Sequence, residues 1–367
     1  MRRICVLLLY LGPVLTLVCC NSQPPPVPSS DIGLHLLVEA PDGLTRKRPG
    51  WDSFLPITFG ETLNREDLLQ NTSSTEGLIV CSDLSLVSMP SGYHGGLPCS
   101  DKVLLVRDES RIADPKRQTA SQVISSIPYI LTPRHTFIQT TSPLLRWHPT
   151  GDSSTSYTVR VQGDTLNWWM ETTNTELDYP QDAPSLVPKE PYRLIVEDSN
   201  GHSSSEEETS LDLHFALLSP EEIATVQSLL MRVQGLDIDE RAMHLLKAEI
   251  NASYKLCADA IILLEKLTAN EDAPAIHRRL GDLYQEVGLY TEARISYEHA
   301  LEGYRTLGDQ AGEAATLVGL GLAYRGNLDD ATARKYLERA LDVYRTIGDA
   351  YNVANIEAIL AKMEATK

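Results

Sequence analysis

The chain has 367 residues, 42% of them apolar and 22% charged, which is typical of a globular protein with two or three domains. Its formal net charge is −18 at pH 7, and no stripe of lysine and arginine offsets that charge. Because phosphate backbones repel a strongly acidic protein, the composition argues against nucleic-acid binding.

The N-terminus has the organisation of an export signal. Arg2 and Arg3 precede an apolar run from Ile4 to Val18, which is too short to span a bilayer comfortably and suits the core of a signal peptide. The sequence up to Cys20, followed by a polar tract, resembles a bacterial lipoprotein signal. That resemblance implies a signal peptide over residues 1–19, lipidation of Cys20 and attachment to a membrane through the lipid.

One position departs from the lipoprotein pattern. Cys19 stands where that pattern has Gly, Ala or Ser, so the alternative is an ordinary cleaved signal with incidental cysteines. Residues 20–31 are rich in proline, and such a segment is a stiff spacer. The sequence therefore predicts an exported protein on a tether, either a periplasmic or outer-surface lipoprotein or a secreted soluble protein.

Residues 32–112 alternate short apolar runs with turns, which predicts a small β domain. The segment from Gly60 to Leu68, with the strand signal that ends at Cys81, resembles the FecR-like β module of bacterial envelope proteins. The resemblance implies a β fold without catalytic residues, and Gly60 is interpreted as a turn glycine. In an exported chain, a disulfide between Cys81 and Cys99 is the expected pairing.

Residues 113–126 are polar and predict a linker, and residues 127–216 predict a second β domain. Trp147 within a Pro-x-Leu-x-Trp pattern, the strand that begins at Tyr157 and the strand that begins at Tyr192 resemble a fibronectin type III sandwich. The resemblance implies an immunoglobulin-like fold with Trp147 and Tyr192 in the core.

Two features of this second β domain carry functional alternatives. Trp168 and Trp169 alternate on one strand, so one of them is expected to be exposed, where it meets a sugar or a partner or packs on the neighbouring domain. The run Glu206 to Glu208 is predicted to be a solvated loop rather than a calcium site.

Residues 219–367 are predicted to be helical, beginning with a capping box at Ser219 and Glu222. From 274 to 349 the sequence repeats with a period of 40 residues, and a fixed period of that kind predicts stacked helical units. The repeated positions stand at the spacing of the tetratricopeptide repeat, which the segment resembles. The resemblance assigns packing roles to Leu280, Gly281, Tyr284, Ala293, Tyr297, Ala300, Leu320, Gly321, Tyr324, Ala333 and Ala340.

Three further expectations concern the helices around these units. A weaker unit precedes them, with a second helix from about Ala252 to Leu267, and residues 350–364 are expected to form a capping helix. The early glycine of the turn at Gly326 predicts a shorter first helix in the second unit. The predicted fold class is multidomain, with two small all-β domains followed by an all-α tetratricopeptide solenoid.

In arrays of this family the first helix of each unit lines an inner groove. The resemblance implies a candidate partner groove of seven residues: Arg278, Asp282, Gln285, Glu286, Val318, Leu322 and Arg325. The alternative interpretation is that these residues form solvated helix faces.

No catalytic or phosphate-binding motif and no histidine pair with metal-ligand spacing is found in the sequence, so no enzyme activity, cofactor or metal is predicted. The leading hypothesis is a non-catalytic scaffold of the cell envelope that docks another protein through the helical array. The alternatives are a cell-wall or glycan-binding protein that uses the β domains, and a signal-relay partner of an envelope regulator.

Overall fold

The computed structural model describes residues 33–106, 127–151, 156–207, 212–269 and 273–365. The predicted signal peptide, Cys20, the tether and the linker over 113–126 lie outside these ranges. Within them, β structure precedes a run of eight helices. The prediction of β domains followed by an all-α array is therefore confirmed.

The first β region is a sandwich of two four-stranded antiparallel sheets, with strand orders β4-β1-β6-β7 and β3-β2-β5-β8. Its strands are β1 His35–Glu39, β2 Leu44–Lys47, β3 Leu55–Pro56, β4 Thr62–Leu63, β5 Leu68–Asn71, β6 Gly77–Val80, β7 Leu86–Met89 and β8 His94–Gly96.

Apolar side chains from both sheets meet between them. Leu37, Leu63 and Ile79 of one sheet pack with Leu44 and Leu69 of the other, and all five are at most 1% exposed. A disulfide joins Cys81 and Cys99 at the edge of this core, with their Cα atoms 5.6 Å apart.

The second β region is also a two-sheet sandwich, with strand orders β10-β16-β15-β12-β13 and β14-β11-β9. Its strands are β9 Tyr129–Thr132, β10 Thr136–Ile138, β11 Leu144–His148, β12 Tyr157–Gln162, β13 Asn167–Thr172, β14 Glu176–Asp178, β15 Pro191–Asp198 and β16 Phe215–Leu217.

Trp147 and Tyr192 are buried in the shared core of the second sandwich, where Trp147 meets Tyr157 edge to face. The two tryptophans of β13 lie on opposite faces, because side chains alternate along a strand. Trp168 packs against Tyr179 inside, while Trp169 is 59% exposed. Of the alternatives for the exposed tryptophan, packing on the neighbouring domain is therefore wrong.

The eight helices follow one another with short turns: α1 Pro220–Gln234, α2 Glu240–Ser253, α3 Cys257–Thr268, α4 Pro274–Glu286, α5 Tyr290–Leu307, α6 Gln310–Gly326, α7 Asp330–Ile347 and α8 Ala350–Ala365. Consecutive helices pack against each other throughout the array. The capping box predicted at Ser219 and Glu222 is present at the start of α1.

Two predicted helix lengths are corrected. Helix α3 begins at Cys257 rather than near Ala252, because Lys255 adopts a left-handed conformation (φ 59°) that separates it from α2. Helix α6 has 17 residues against 13 in α4, so the first helix of the second unit is longer, not shorter. Leu328 takes the left-handed turn position, and Gly326 therefore remains inside the helix.

Among the described residues, no helix combines the length and apolar character needed to cross a membrane.

Candidate protein-docking surfaces of the helical array

The two repeated helical pairs, α4–α5 and α6–α7, pack closely at their small residues. A Cβ atom at Gly281 would lie 2.7 Å from the ring of Tyr297, and one at Gly321 would lie 2.8 Å from Leu337. Such contacts are closer than side chains tolerate, so only glycine lets the helices approach this far. Four alanines at the repeated positions are fully buried: Ala293, Ala300, Ala333 and Ala340.

The remaining predicted packing residues divide into two groups. Leu280, Tyr284 and Leu320 are buried, and Tyr297 is wedged between α4 and α6 with 1% exposure. Tyr324, the counterpart of Tyr284 in the second unit, is only half-buried. The two units therefore share a core but differ at the surface that these tyrosines reach.

None of the seven residues predicted to line a partner groove is fully exposed. Leu322 and Arg325 are 2% and 8% exposed, so they do not line an open surface and their assignment to a groove is corrected. The reason is that α6 packs against α4, α5 and α7, which cover the face of α6 from three sides. Val318 and Gln285 are half-buried, and Val318 packs against the core.

The three charged residues predicted for this groove on α4 already have partners within the chain. Arg278 donates from Nε to the Tyr304 hydroxyl at 3.1 Å. Asp282 accepts a hydrogen bond from the Tyr297 hydroxyl at 2.8 Å, and Glu286 accepts one from Lys255 at 2.9 Å. These side chains therefore serve contacts inside the chain.

The first sandwich contacts the array at the turns that join one repeat to the next. Glu61 accepts a hydrogen bond from the Tyr304 hydroxyl at 2.5 Å and lies 3.6 Å from the guanidinium of Arg278. Trp51 donates from its indole nitrogen to Asp349, and the backbone N–H of Asp52 donates to the carbonyl of residue 347 at 3.0 Å. The predicted groove position at Arg278 is thus occupied by a domain of the same chain.

A buried charge cluster holds this junction. Burial alone raises the pKa of Glu61, but Arg278 and Arg46 outweigh it and lower that pKa. Burial, together with the nearby Glu61 carboxylate, raises the pKa of Asp309 to about 6. Asp309 also caps α6 by accepting a hydrogen bond from the backbone of Gly312 at 3.0 Å. At this junction, burial therefore disfavours the charged form of the Asp309 carboxylate.

The second sandwich contacts the opposite edge of the array, at the turn between α4 and α5. Arg134 donates from Nε to the carbonyl of Val287 at 2.8 Å, and the Tyr129 hydroxyl donates to the carbonyl of Gly288 at 3.3 Å. The guanidinium of Arg134 also lies over the ring of Tyr129, 5.0 Å from its centroid. Two donors from one sandwich thus bind two carbonyl groups of one repeat turn.

Glu207 positions Arg134 for this contact. The two side chains form a bidentate pair with N–O distances of 2.7 and 2.6 Å, and each is 1% exposed. The prediction that the run Glu206 to Glu208 is a solvated loop is therefore wrong for Glu207, while Glu208 lies outside the described residues. In the sequence, Glu207 is one of three consecutive glutamates, and nothing in that run identifies a partner 73 residues away.

A cavity of about 370 Å³ lies between the second sandwich and helices α3, α4 and α5. The sandwich supplies Arg146 and His148 to its wall, and the helices supply Glu265 and Glu292. Arg146 lies 3.1 Å from Glu265, and His148 lies 3.2 Å from Glu292. These pairs span the junction, so the acidic and basic groups of the cavity stabilise domain contact.

One buried group has the residue types of a metal site: His35, Cys81 and Cys99. The two sulfur atoms are bonded to each other, and Nδ1 of His35 accepts a hydrogen bond from the backbone N–H of Ser82 at 3.2 Å. A neutral imidazole that accepts at Nδ1 carries its proton on Nε2, so this tautomer offers no lone pair to an ion. The geometry therefore does not fit a metal.

The turn between α6 and α7 repeats the turn that binds the second sandwich. Gly288 and Leu328 stand at equivalent positions, with φ angles of 77° and 59°. Residues 287–289 are buried beneath the sandwich, whereas Leu328 is 50% exposed. The array therefore presents the same turn twice, and one copy is uncovered in the part of the chain that the structure describes.

Aromatic and cationic side chains stack beside this second turn. Tyr324 and Tyr336 stack with ring centroids 5.3 Å apart. Arg294 lies over Tyr324 at 4.9 Å, and Arg339 lies over Tyr336 at 5.7 Å. Tyrosine and arginine are the side chains enriched in protein interfaces, where rigid aromatic area and multiple donors favour binding.

Comparison with known proteins supports the assignment of the repeats. Residues 272–346 match the tetratricopeptide repeat family. This family is one of protein-interaction modules, and the match spans α4 to α7. A search of curated proteins finds no match.

Solved structures add little. A crystal structure of BtubC (BKLC) from P. vanneervenii is 18% identical over 40% of this chain and 71% of that chain, with a TM-score of 0.29. A likeness at that TM-score carries no argument about this chain.

Proposed function

We propose that the protein is a non-catalytic scaffold of the bacterial cell envelope, which docks another protein through its tetratricopeptide array. The coarser part of this proposal rests on the family, because such repeats bind proteins through stacked helical surfaces. The envelope location rests on the export signal and the lipoprotein resemblance of the sequence up to Cys20.

One observation carries the docking proposal. The first repeat binds a protein surface at its turn, where the carbonyls of Val287 and Gly288 accept from Arg134 and Tyr129. The second repeat presents the equivalent turn with Leu328 half exposed to solvent. At the first turn, the second sandwich supplies an arginine donor and a tyrosine donor. A partner surface with such a donor and an apolar contact therefore fits the second turn.

The half-buried stack beside the turn adds area for the same partner. Tyr324 and Tyr336 offer an aromatic face, and Arg294 and Arg339 lie at its two ends. We name the second turn and this stack together the second-turn surface: Arg294, Tyr324, Leu328, Tyr336 and Arg339.

The test compares two exposed leucines of the array. Leu328 is 50% exposed and Leu307 is 44% exposed, at opposite ends of the helical pairs, since α5 is about 27 Å long. We expect Leu328→Asp to weaken the affinity for a purified envelope partner at least tenfold, measured by biolayer interferometry. Leu307→Asp should change that affinity by less than twofold. Equal loss in both variants, or loss in neither, would contradict docking at the second-turn surface.

The anchor is tested separately by intact mass spectrometry of the protein from its native membrane fraction. A chain that begins at Cys20 with added acyl mass supports a membrane-anchored lipoprotein. An unmodified mature chain in the soluble fraction would replace that proposal with a secreted scaffold.

The glycan-binding alternative rested on Trp168 and Trp169 together. Trp168 packs against Tyr179 in the core, so only Trp169 remains to stack on a sugar. Retention of the chain on purified cell-wall material, lost in Trp169→Ala, would favour that alternative. Signal relay has no observation of its own among the described residues.

A further inference from the structure

Three of the four strand edges of the second sandwich are protected. The edge strand β10 is bonded to the array, since Phe137 donates its N–H to the carbonyl of Lys255 at 2.9 Å. The edge strand β9 carries Tyr129, whose hydroxyl binds the turn at Gly288. The edge strand β14 has only three residues and carries Glu176 and Asp178. Short strands, charges and covering elements are the ways in which proteins block edges.

The fourth edge is β13, with which no further strand pairs among the described residues. It has six residues, Asn-Trp-Trp-Met-Glu-Thr, with no proline or lysine and one charged side chain, Glu171. Its pairing with β12 runs without a bulge from Tyr157↔Thr172 to Gln162↔Asn167. An unprotected, regular edge of this length is a template for another strand.

The hairpin determines which backbone groups of β13 are available. Gly163 donates its N–H to the carbonyl of Leu166 at 2.8 Å and so closes the turn between β12 and β13. Because hydrogen-bonded and non-bonded pairs alternate in an antiparallel ladder, Trp168 and Met170 bond to β12. The backbone N–H and C=O groups of Asn167, Trp169 and Glu171 therefore point away from the sheet.

We propose that β13 pairs with β13 of a second copy of the chain, antiparallel and about a twofold axis at Trp169. In this register Trp169 faces Trp169 of the second copy, and Asn167 faces Glu171 of the second copy. All three outward residues then exchange both backbone hydrogen bonds with their counterparts. The two five-stranded sheets become one continuous sheet across the dimer.

The strand is complementary to itself in this register. On the outer face, the two Trp169 rings form a cross-strand aromatic pair, and the Asn167 amide donates to the Glu171 carboxylate. On the inner face, Trp168 meets Met170 of the second copy, a favourable sulfur–aromatic contact. A register in which Glu171 faces itself is disfavoured, because it places like charges directly opposite each other.

The test uses the mature chain with Cys20→Ser, so that neither an acyl group nor an exposed thiol at that position interferes. We expect light scattering to give twice the mass of one chain at 100 μM and a lower average mass on dilution. Trp169→Pro removes an outward N–H and the exposed indole ring but no hydrogen bond to β12, since edge positions of this kind tolerate proline. It should give the single-chain mass with an unchanged circular dichroism spectrum. Trp169→Lys, which retains the N–H but opposes two charges, should do the same.

Cross-linking tests the register. With Trp169→Cys, the two thiols face each other at about 5.5 Å between Cα atoms, within reach of a disulfide, so oxidation should give a covalent dimer. Asn167→Cys is the matched control, because its two copies are offset by four residues, about 13 Å, and should not cross-link.

Three results would overturn the proposal. They are a wild-type chain that stays single at 100 μM, a dimer that survives Trp169→Pro, and cross-linking through position 167 as efficient as through position 169. A chain that stays single on its own and binds the strand of a different protein at β13 would give the first of these results. The outcome is independent of the second-turn surface, whose variants do not touch β13.

Discussion

The indole nitrogen of Trp51 donates a hydrogen bond to Oδ2 of Asp349 at 2.9 Å, across 298 residues of sequence. Trp51 belongs to the first sandwich and is 3% exposed, while Asp349 lies in the turn before α8. Arg46 and Arg48 each lie 5.5 Å from the indole ring. The last repeat turn is therefore tied to the first domain by a buried, cation-flanked tryptophan.

Trp51→Phe should destabilise the fold, because it removes the donor to a buried carboxylate and leaves the apolar contact largely in place. We expect the free energy of unfolding to fall by about 1–3 kcal/mol. Urea denaturation followed by circular dichroism measures it. Trp169→Phe, at a side chain that is 59% exposed, is the matched control and should change stability by less than about 0.5 kcal/mol at low micromolar concentration.

Asp309 should make the fold less stable as pH rises from about 4 to about 6. Burial raises the pKa of Asp309 to about 6 from 3.8, so in this window the folded chain holds a proton that the unfolded chain has lost. The free energy of unfolding then falls with pH. Asp309→Asn keeps the capping oxygen and removes the titration, so it should raise stability at pH 7.5 by up to about 3 kcal/mol.

Asp329 provides the control for this prediction. It caps α7 as Asp309 caps α6, but the backbone hydrogen bond from Thr332 lowers its pKa. Asp329→Asn should therefore not stabilise the chain at pH 7.5. If Asp309→Asn and Asp329→Asn gave the same change across pH 4.5 to 7.5, burial at the junction would not be the cause.

Breaking the pair between Arg134 and Glu207 should be costly, because either partner alone is a buried charge. We expect Glu207→Gln to lower the free energy of unfolding by about 3–5 kcal/mol, and Arg134→Met/Glu207→Met to recover part of that loss. A double-mutant cycle of Arg134→Met, Glu207→Met and the double variant, unfolded in urea, measures the coupling energy of the pair. The exposed pair of Arg345 and Glu357, 2.8 Å apart, should couple by only about 0–1 kcal/mol.

Gly281→Ala should destabilise the array by overpacking. Its Cβ would lie 2.7 Å from the ring of Tyr297, which α6 holds from the other side at Gly319. Forcing atoms into a filled core costs about 1–3 kcal/mol, and the unfolding midpoint of the helical signal measures it. Gly308→Ala is the control: its added Cβ meets no atom within 4 Å, so its only cost is the left-handed backbone conformation at φ 72°. In a Tyr297→Leu background, Gly281→Ala should lower the midpoint much less than it does in the wild-type chain; an undiminished loss would mean that the ring is not the obstacle.

Patterns within one element were readable from the sequence. The 40-residue period predicted α4 to α7, since the repeated glycines and alanines let neighbouring helices approach closely. The alternation of Trp168 and Trp169 predicted one inward and one outward ring, because the period of a strand is local.

Contacts between elements were not readable. Gly60 was interpreted as a turn glycine, and its φ of 86° agrees, but a Cβ there would also lie 2.6 Å from Ile276 of the array. Nothing near Gly60 in the sequence identifies that neighbour. For the same reason the groove residues were assigned to a free surface, although Arg278 faces Glu61 and α6 is covered on three sides.

The bond between Trp51 and Asp349 has a consequence for how the chain is made. In a free helical array every contact is between neighbouring repeats, so folding can begin at any repeat and spread to the next. Here the first sandwich reaches its final environment only after nearly the whole chain has been synthesised. At about 5–20 residues per second, Trp51 waits at least about 15 seconds for its acceptor. During that interval its indole nitrogen lacks this acceptor, so the junction between the first sandwich and the last repeat turn closes late.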